Sequence, residues 1–502
     1  MPGFLNDQQL NSELIIGLVC AVGSETSLAV DLLKERLGLA GYQVRLVKVS
    51  RDVIPLLCKV PPDDGDKYKR ISELMNAGNK ARADASDDAI LAYGAATRIL
   101  LERPRTENGS AQVLDKTAII IDSLKRPEEV EMLRLIYPSG FVLVGVHEEE
   151  ARRLQHLTTN QGISEGNAKR LIQRDSEESK VTHGQRVNKT FHLADFFVRI
   201  GNSHDRLRHD IKRIVELWFG HPFITPTFDE HAMFMAFAAG LRSADVSRQV
   251  GAVVARDCQI LATGANDCPQ AGGGLYWASR QADGCIGDIP RGRDYTRPDG
   301  DSNRAEQNRI IERIVEDGKG AEYGLDEVKL CRLLQLSRIR DLTEYGRVVH
   351  AEMESLLSCA RNGLSTVGAT LYSTTFPCHN CAKHIIAAGI VRVVYVEPYP
   401  KSKALEFHDD SIASGKPGES ENLVRFVPFV GVGPRRFFDL FSMHLGSTYR
   451  LVRKDNETGK PSKWSIERAQ LRLQMKPLSY LDLEEQACKM FDQAANPQGA
   501  KP

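Results

Sequence analysis

Residues 350 to 381 constrain this chain more than any other stretch: they open with His350-Ala351-Glu352 and close with Pro377-Cys378-His379-Asn380-Cys381. Cys378 and Cys381 stand at i and i+3, so in the first turn of a helix both sulfurs face the same way. Pro377 suits a helix start, and the amide end of that helix favours thiolate over thiol, the form that binds metal. His350 offers a third ligand and leaves a fourth position for water, which is what separates a catalytic zinc from a closed structural one. Glu352 then stands apart from the ligands. On a regular helix it would diverge from His350, so the pair fits a helix entrance, with Glu352 aimed at that water and able to move its proton.

The order H-x-E, then P-C-x-x-C, is the signature of zinc nucleobase deaminases. This resemblance implies one catalytic zinc per chain, held by His350, Cys378 and Cys381. It also implies attack of hydroxide on carbon 4 of cytosine, with Glu352 carrying protons to ring nitrogen 3 and to the departing amine. A lone C-x-x-C is also half of a structural zinc knuckle, or a redox pair. The ten cysteines contain no second C-x-x-C, and a thioredoxin-like pair explains neither His350 nor Glu352.

Composition narrows the partners. With 66 Lys plus Arg against 66 Asp plus Glu, no global basic field exists to hold nucleic acid by its phosphates, which favours small nucleotides over polymers. The longest apolar run, Leu14 to Val22 around Gly17, is too short for a membrane span, and the N-terminus lacks the regions of a signal peptide. The expectation is a cytoplasmic protein with no membrane partner. Cysteines scattered through 502 residues do not form a disulfide framework, and the length allows two or three domains.

Residues 14 to 22 read as a buried strand, and Thr26 to Leu39 follow at helical spacing. The stretch Gly17-Leu18-Val19-Cys20-Ala21-Val22-Gly23-Ser24-Glu25-Thr26-Ser27 resembles the Walker A region of small nucleotide kinases, G-x-x-x-x-G-K-[ST]. Cys20 and Glu25 replace its two glycines and Thr26 its lysine, while Gly23 and Ser27 survive. Losing the lysine removes the charge that contacts the β and γ phosphates. Ala118 to Ile121 make a strand ending at Asp122, where a Walker B carboxylate would sit, unless Asp122 simply caps a turn. The resemblance makes residues 1–225 a degenerate P-loop nucleotide-kinase-like α/β domain, with Gly23, Ser24, Ser27 and Asp122 as its candidate nucleotide site for an effector or inhibitor. Residues 61–88, 102–112 and 159–189 read as polar loops, lids or linkers.

Pro222 and Pro226 mark the next boundary. Phe234-Met235-Ala236-Phe237-Ala238, Ser247-Arg248-Gln249-Val250-Gly251-Ala252-Val253-Val254 and Gly264-Ala265-Asn266-Asp267 look like the opening helix and first two strands of deoxycytidylate deaminases, and the later strand Gly368 to Thr375 continues that pattern. The kinase-like domain ahead of such a unit resembles bacterial anti-phage dCTP/dCMP deaminases. This implies a cytidine-deaminase-like three-layer α/β/α domain with a central mixed sheet over residues 226–445, an insertion at 268–347, and a C-terminal extension at 446–502. It also implies a homo-oligomer acting on free deoxycytidine nucleotides and draining the dCTP pool. Asn266 would contact the deoxyribose, unless it is a turn residue, and Arg248, Ala351 and Lys401 are further candidate substrate contacts.

Arg291, Arg293, Arg297 and Arg304 are spread through the insertion. They would hold phosphates or a neighbouring subunit, or make a solvated charged face. His379 and His384 read as surface or supporting residues, and Cys285 as weak evidence for a second metal. The remaining alternatives are a polynucleotide cytidine deaminase, which needs a basic channel, and a nucleotide-sensing interaction protein with structural zinc, which has no use for Glu352.

Overall fold

The computed structural model describes residues 12–495 apart from 179–181, 202, 319–325, 400–401, 414–421, 447–448, 456 and 476. Contacts divide the chain into two units, Met1–Thr227 with Val430–Pro502, and Phe228–Phe429.

In the first unit, β1 (Leu14–Cys20) is buried at every position, as a strand covered on both faces must be. Then come α1 (Thr26–Leu39), β2 (Gln43–Lys48), α2 (Ile90–Leu101), β3 (Thr117–Leu124), β4 (Phe141–Glu148), α3 (Glu165–Glu177), β5 (Phe196–Ile200) and α4 (His204–Trp218). The strands run parallel in the order β2-β3-β1-β4-β5, with Ile16 between Ile120 and Val142. Leu14, Ile16 and Leu18 share a core with Leu33 and Leu37 of α1 and Ile211 and Trp218 of α4. β3 lies on one side of β1 and β4 on the other, so the order reverses at β1. In an open α/β sheet, ligands bind at such a reversal, outside the carboxyl ends of the strands.

The second unit contains α5 (Phe228–Gly240), β6 (Gly251–Arg256), β7 (Gln259–Ala265), α6 (Ser302–Gly318), α7 (Glu327–Gln335), α8 (Ala351–Arg361), β8 (Thr370–Thr375), α9 (His379–Ala387), β9 (Arg392–Glu397), β10 (Ile412–Ala413) and β11 (Val424–Pro428). Its sheet is mixed, in the order β10-β11-β9-β8-β6-β7, with β6 antiparallel to both β7 and β8 and the remaining pairs parallel. Two glycines reveal the layers. A Cβ on Gly251 would stand 1.8 Å from the carbonyl oxygen of Ala236 in α5, and one on Gly264 would stand 2.2 Å from that of Ala351 in α8. Gly264 pairs with Ala252, the neighbour of Gly251, and successive strand residues face opposite ways. Thus α5 and α8 cover opposite faces. Leu356 and Cys359 of α8 and Cys381 and Ile385 of α9 share one apolar cluster with Val254, Leu371 and Val393. The helices carrying the two halves of the motif therefore lie on the same face.

The chain then rejoins the first unit. β12 (Gly431–Val432) pairs antiparallel with β5, Gly431 opposite Phe197. In α10 (Pro477–Ala495), Phe491 packs so close to Gly94 of α2 that a Cβ there would meet its ring at 2.5 Å. This differs from the boundaries read in the sequence, where residues 430–445 went with the zinc half and 446–502 stood apart. A two-residue antiparallel pairing leaves no periodic signal, and the partner of α10 lies almost four hundred residues away. Two stretches read as loops are in part helical: Lys67–Ala85 and α3. The buried residues of the first are Met75, Ala77, Gly78, Ala81 and Arg82; apart from Met75 they are too small or too polar to register as an apolar stripe. No described helix is long and apolar enough to cross a membrane.

Candidate metal centre and its cavity

His350 ends the approach to α8 as its N-cap, in extended conformation, and Glu352 falls in the helix's first turn. Cys378 is the N-cap of α9, its sulfur accepting from the Cys381 N–H at 3.4 Å. The His350 Nδ1 is 3.4 Å from Cys378 Sγ and 3.3 Å from Cys381 Sγ. All three donor atoms lie within 4.8 Å of one another. A tetrahedral zinc with ordinary Zn–N and Zn–S bonds would separate nitrogen from sulfur by about 3.5 Å, so the donors fit that ion. Among the described residues this is the only such group of His, Cys and acidic side chains. Cys285 is exposed and joins no second one. His379 and His384 stay outside the group, His379 with its ring 5.8 Å from that of Phe407.

The charges respond to this crowding. Hydrogen bonding from Cys381, aided by His350, draws the Cys378 thiol down to about 4 against the desolvation that opposes it. The bond to Cys378 raises His350 to about 9, and sharing with Cys378 pushes Cys381 up. One thiolate thus binds neighbouring protons, the position in which a metal cation substitutes for them. Glu352 is 4% exposed, its Oε2 lies 3.7 Å from Cys381 Sγ, and burial raises its carboxyl pKa.

His350, Glu352 and Cys378 line a cavity of about 440 Å³ together with Arg248, Asn266, Ala351, Phe376 and Tyr399. Asn266 accepts from the Val250 N–H through Oδ1 at 2.6 Å and donates through Nδ2 to the Arg248 carbonyl at 2.9 Å. It thereby braces the strand approach and keeps one amide proton for another partner. Arg248 lies over the Tyr399 ring at 5.5 Å. Ala351, wholly buried, has only shape and backbone to offer. Lys401 lies outside the described residues. The insertion supplies a wall that sequence reasoning did not assign, including Asp294, Asp301, Asn303 and Arg304. Arg304 was one of four arginines with nothing to single it out.

In the first unit, Ser24, Thr26, Ser27, Lys34, Lys48 and Asp122 line a cleft of about 330 Å³ at the carboxyl ends of the strands. Gly23 beside it has φ +85°, and a Cβ there would meet Leu157 and the Arg153 carbonyl. The amides of Val22 and Glu25 are already taken, donating to Asp175 Oδ2 and Glu148 Oε2, each at 2.9 Å. In a working phosphate loop such amides face the phosphates; here they hold the chain's own carboxylates.

The profile of the family described as "Cytidine and deoxycytidylate deaminase zinc-binding region" matches residues 226–397. The deoxycytidylate deaminase of Mycobacterium phage D29 is 31% identical over 170 residues, 34% of this chain and 94% of that protein. That of Enterobacteria phage T2 is 51% identical over 55 residues, and the match spans only 29% of its length and 11% of this chain. A crystal structure of the dCMP deaminase of cyanophage S-TIM5 in complex with dCMP and dUMP is 18% identical, covers 41% of this chain and 98% of that one, and has a TM-score of 0.23.

Proposed function

The chain belongs to the cytidine and deoxycytidylate deaminase family, and on that premise we propose that it hydrolyses free deoxycytidine nucleotides, dCTP or dCMP, to deoxyuridine nucleotides and ammonia. The observation that carries this reading is the buried Glu352 carboxylate beside the His350, Cys378 and Cys381 donors, with Glu352, His350 and Cys378 lining a cavity. A structural zinc site needs no such acid.

Zinc held by those three residues would supply Lewis acidity and lower the pKa of water to about 7. Glu352 takes the proton from the attacking water, delivers one to ring nitrogen 3 of cytosine, and passes one to the amine leaving carbon 4. Its burial keeps bulk water from competing for those protons. Asn266 turns its remaining amide proton to the sugar. Phe376 and Tyr399 offer apolar surface to the base and its attachment. Depletion of the dCTP pool in defence against phage, assembly into a homo-oligomer, and a regulatory role for the first unit complete the proposal. The carboxylates already seated on the Val22 and Glu25 amides favour a sensor or assembly role for that unit over phosphoryl transfer.

The test is ammonia release by zinc-replete protein from dCMP, dCTP, deoxycytidine, CTP and a cytosine-containing DNA strand, with Glu352→Ala as control. Turnover of a free deoxynucleotide that vanishes in the variant supports the reading. Turnover confined to the DNA strand makes the protein a polynucleotide deaminase. Bound zinc with no turnover at all makes the metal structural.

A further inference from the structure

The insertion carries arginines into two different situations. Arg293 is buried between Asp267 at 3.2 Å and Asp288 at 3.1 Å, and Arg347 holds Asp294 at 2.6 Å. These pairs knit the insertion together. Arg304 has no carboxylate within ion-pairing reach among the described residues; its side chain makes one long contact, 3.4 Å, to Gln307 Oε1. It is exposed, and it lines the same cavity as His350, Glu352 and Arg248.

Its position is built. The first turn of α6 is tied to the strap that leads into the metal centre: Ser302 Oγ donates to the Tyr345 carbonyl at 3.0 Å, Asn303 Nδ2 to the Leu342 carbonyl at 2.7 Å, and the Arg347 N–H to Ser302 Oγ at 3.2 Å. The strap ends in an antiparallel bridge between Asp267 and Val349, one residue before His350. Besides Glu352, three carboxylates line the cavity and each is already engaged, Asp294 by Arg347 and the other two by backbone. Asp301 accepts from the Asn303 and Arg304 amides, and Asp245 from those of Ser247 and Arg248. The guanidiniums of Arg304 and Arg248 are therefore the uncommitted charges of the wall. A planar guanidinium with a free fork matches a phosphate better than it matches a base or a sugar.

We propose that Arg304, carried into the cavity by the insertion, binds the 5′-phosphate of the substrate and, with Arg248, makes this site selective for nucleotides over nucleosides. The inference rests on the deaminase reading. Steady-state deamination of dCMP, dCTP and deoxycytidine by full-length zinc-replete protein tests it, with zinc content measured for every variant. In Arg304→Ala the ratio of kcat/KM for the nucleotide to that for deoxycytidine falls by about tenfold to a hundredfold, the loss of a charged hydrogen bond, and the fall is carried by KM. Arg304→Lys recovers part of it. A ratio that survives in Arg304→Ala, or a fall carried by kcat equally for all substrates, overturns the assignment while leaving the deaminase reading intact. A wild-type protein that turns over none of the three substrates overturns the deaminase reading itself.

Discussion

Gly264 in β7 faces the Ala351 carbonyl so closely that a Cβ would stand 2.2 Å from its oxygen and 2.5 Å from the Ser355 nitrogen. Both obstacles are backbone, so α8 itself would have to move. Gly264→Ala should therefore lift the helix that carries His350 and Glu352 off the sheet. Overpacking of this kind costs about 1–3 kcal/mol. The expected outcome is a lower urea midpoint together with reduced zinc content. A variant with unchanged zinc stoichiometry and midpoint would show that the helix can shift without disturbing its first turn.

Glu352 and the three donors should separate by assay. Glu352→Gln keeps the shape and burial of the side chain but removes the carboxylate. Zinc content should stay near that of the wild type while turnover falls about 10²- to 10⁴-fold, the usual contribution of a placed acid/base group. Cys381→Ser or exhaustive chelation should instead remove the metal, with activity returning on zinc addition only in the chelated wild type. Metal analysis beside ammonia release reads both; loss of zinc in Glu352→Gln would count the glutamate among the ligands.

Arg103 sits between Glu13 and Glu484, each at 2.5 Å, and all three side chains are fully buried. Glu484 belongs to α10, so this cluster joins the last helix to the first strand's approach. Removing one partner of a buried charge set costs about 3–5 kcal/mol, because the remaining charge keeps its desolvation penalty. Glu484→Ala should accordingly lower stability by that order. Glu102→Ala, which breaks an exposed pair with Arg45 at 3.1 Å, should change it by less than about 1 kcal/mol. Equal effects in urea titrations would refute the distinction.

How far the sequence carries depends on the range of the interaction. The centre of the second unit is legible because a metal dictates residue types at short spacing, and His350, Glu352, Cys378 and Cys381 each stand next to a helix start. In the first unit, β1 and α1 are likewise visible in local periodicity. What escaped depends on distant partners. Gly431 meets Phe197 across more than two hundred residues, and Asp175 reaches the amide of Val22 from α3. Arg304 differs from Arg293 in standing exposed at the cavity and in lacking a carboxylate neighbour, facts that exist only in the folded chain.

His147 gives the first unit an acid-sensitive element. Its place near the end of β4 strips it of water, and the nearby charges of Arg199 and Arg153 add to the effect, lowering its pKa from 6.5 to about 4. The unfolded chain protonates this residue at about pH 6.5. Between pH 6.5 and 4 the unfolded state therefore holds more protons than the folded one, and stability must fall as the pH falls. Above pH 6.5 the contribution is fully present. The side chain is not wholly shut off from solvent, so the loss should be about 2 kcal/mol, somewhat less than the full shift implies. His147→Gln removes the titrating group and should flatten this part of the profile. Urea denaturation of both proteins at pH 7.5, 5.5 and 4 checks it: the stability difference between wild type and variant should shift against the wild type on acidification, and parallel profiles would assign the acid sensitivity to other groups.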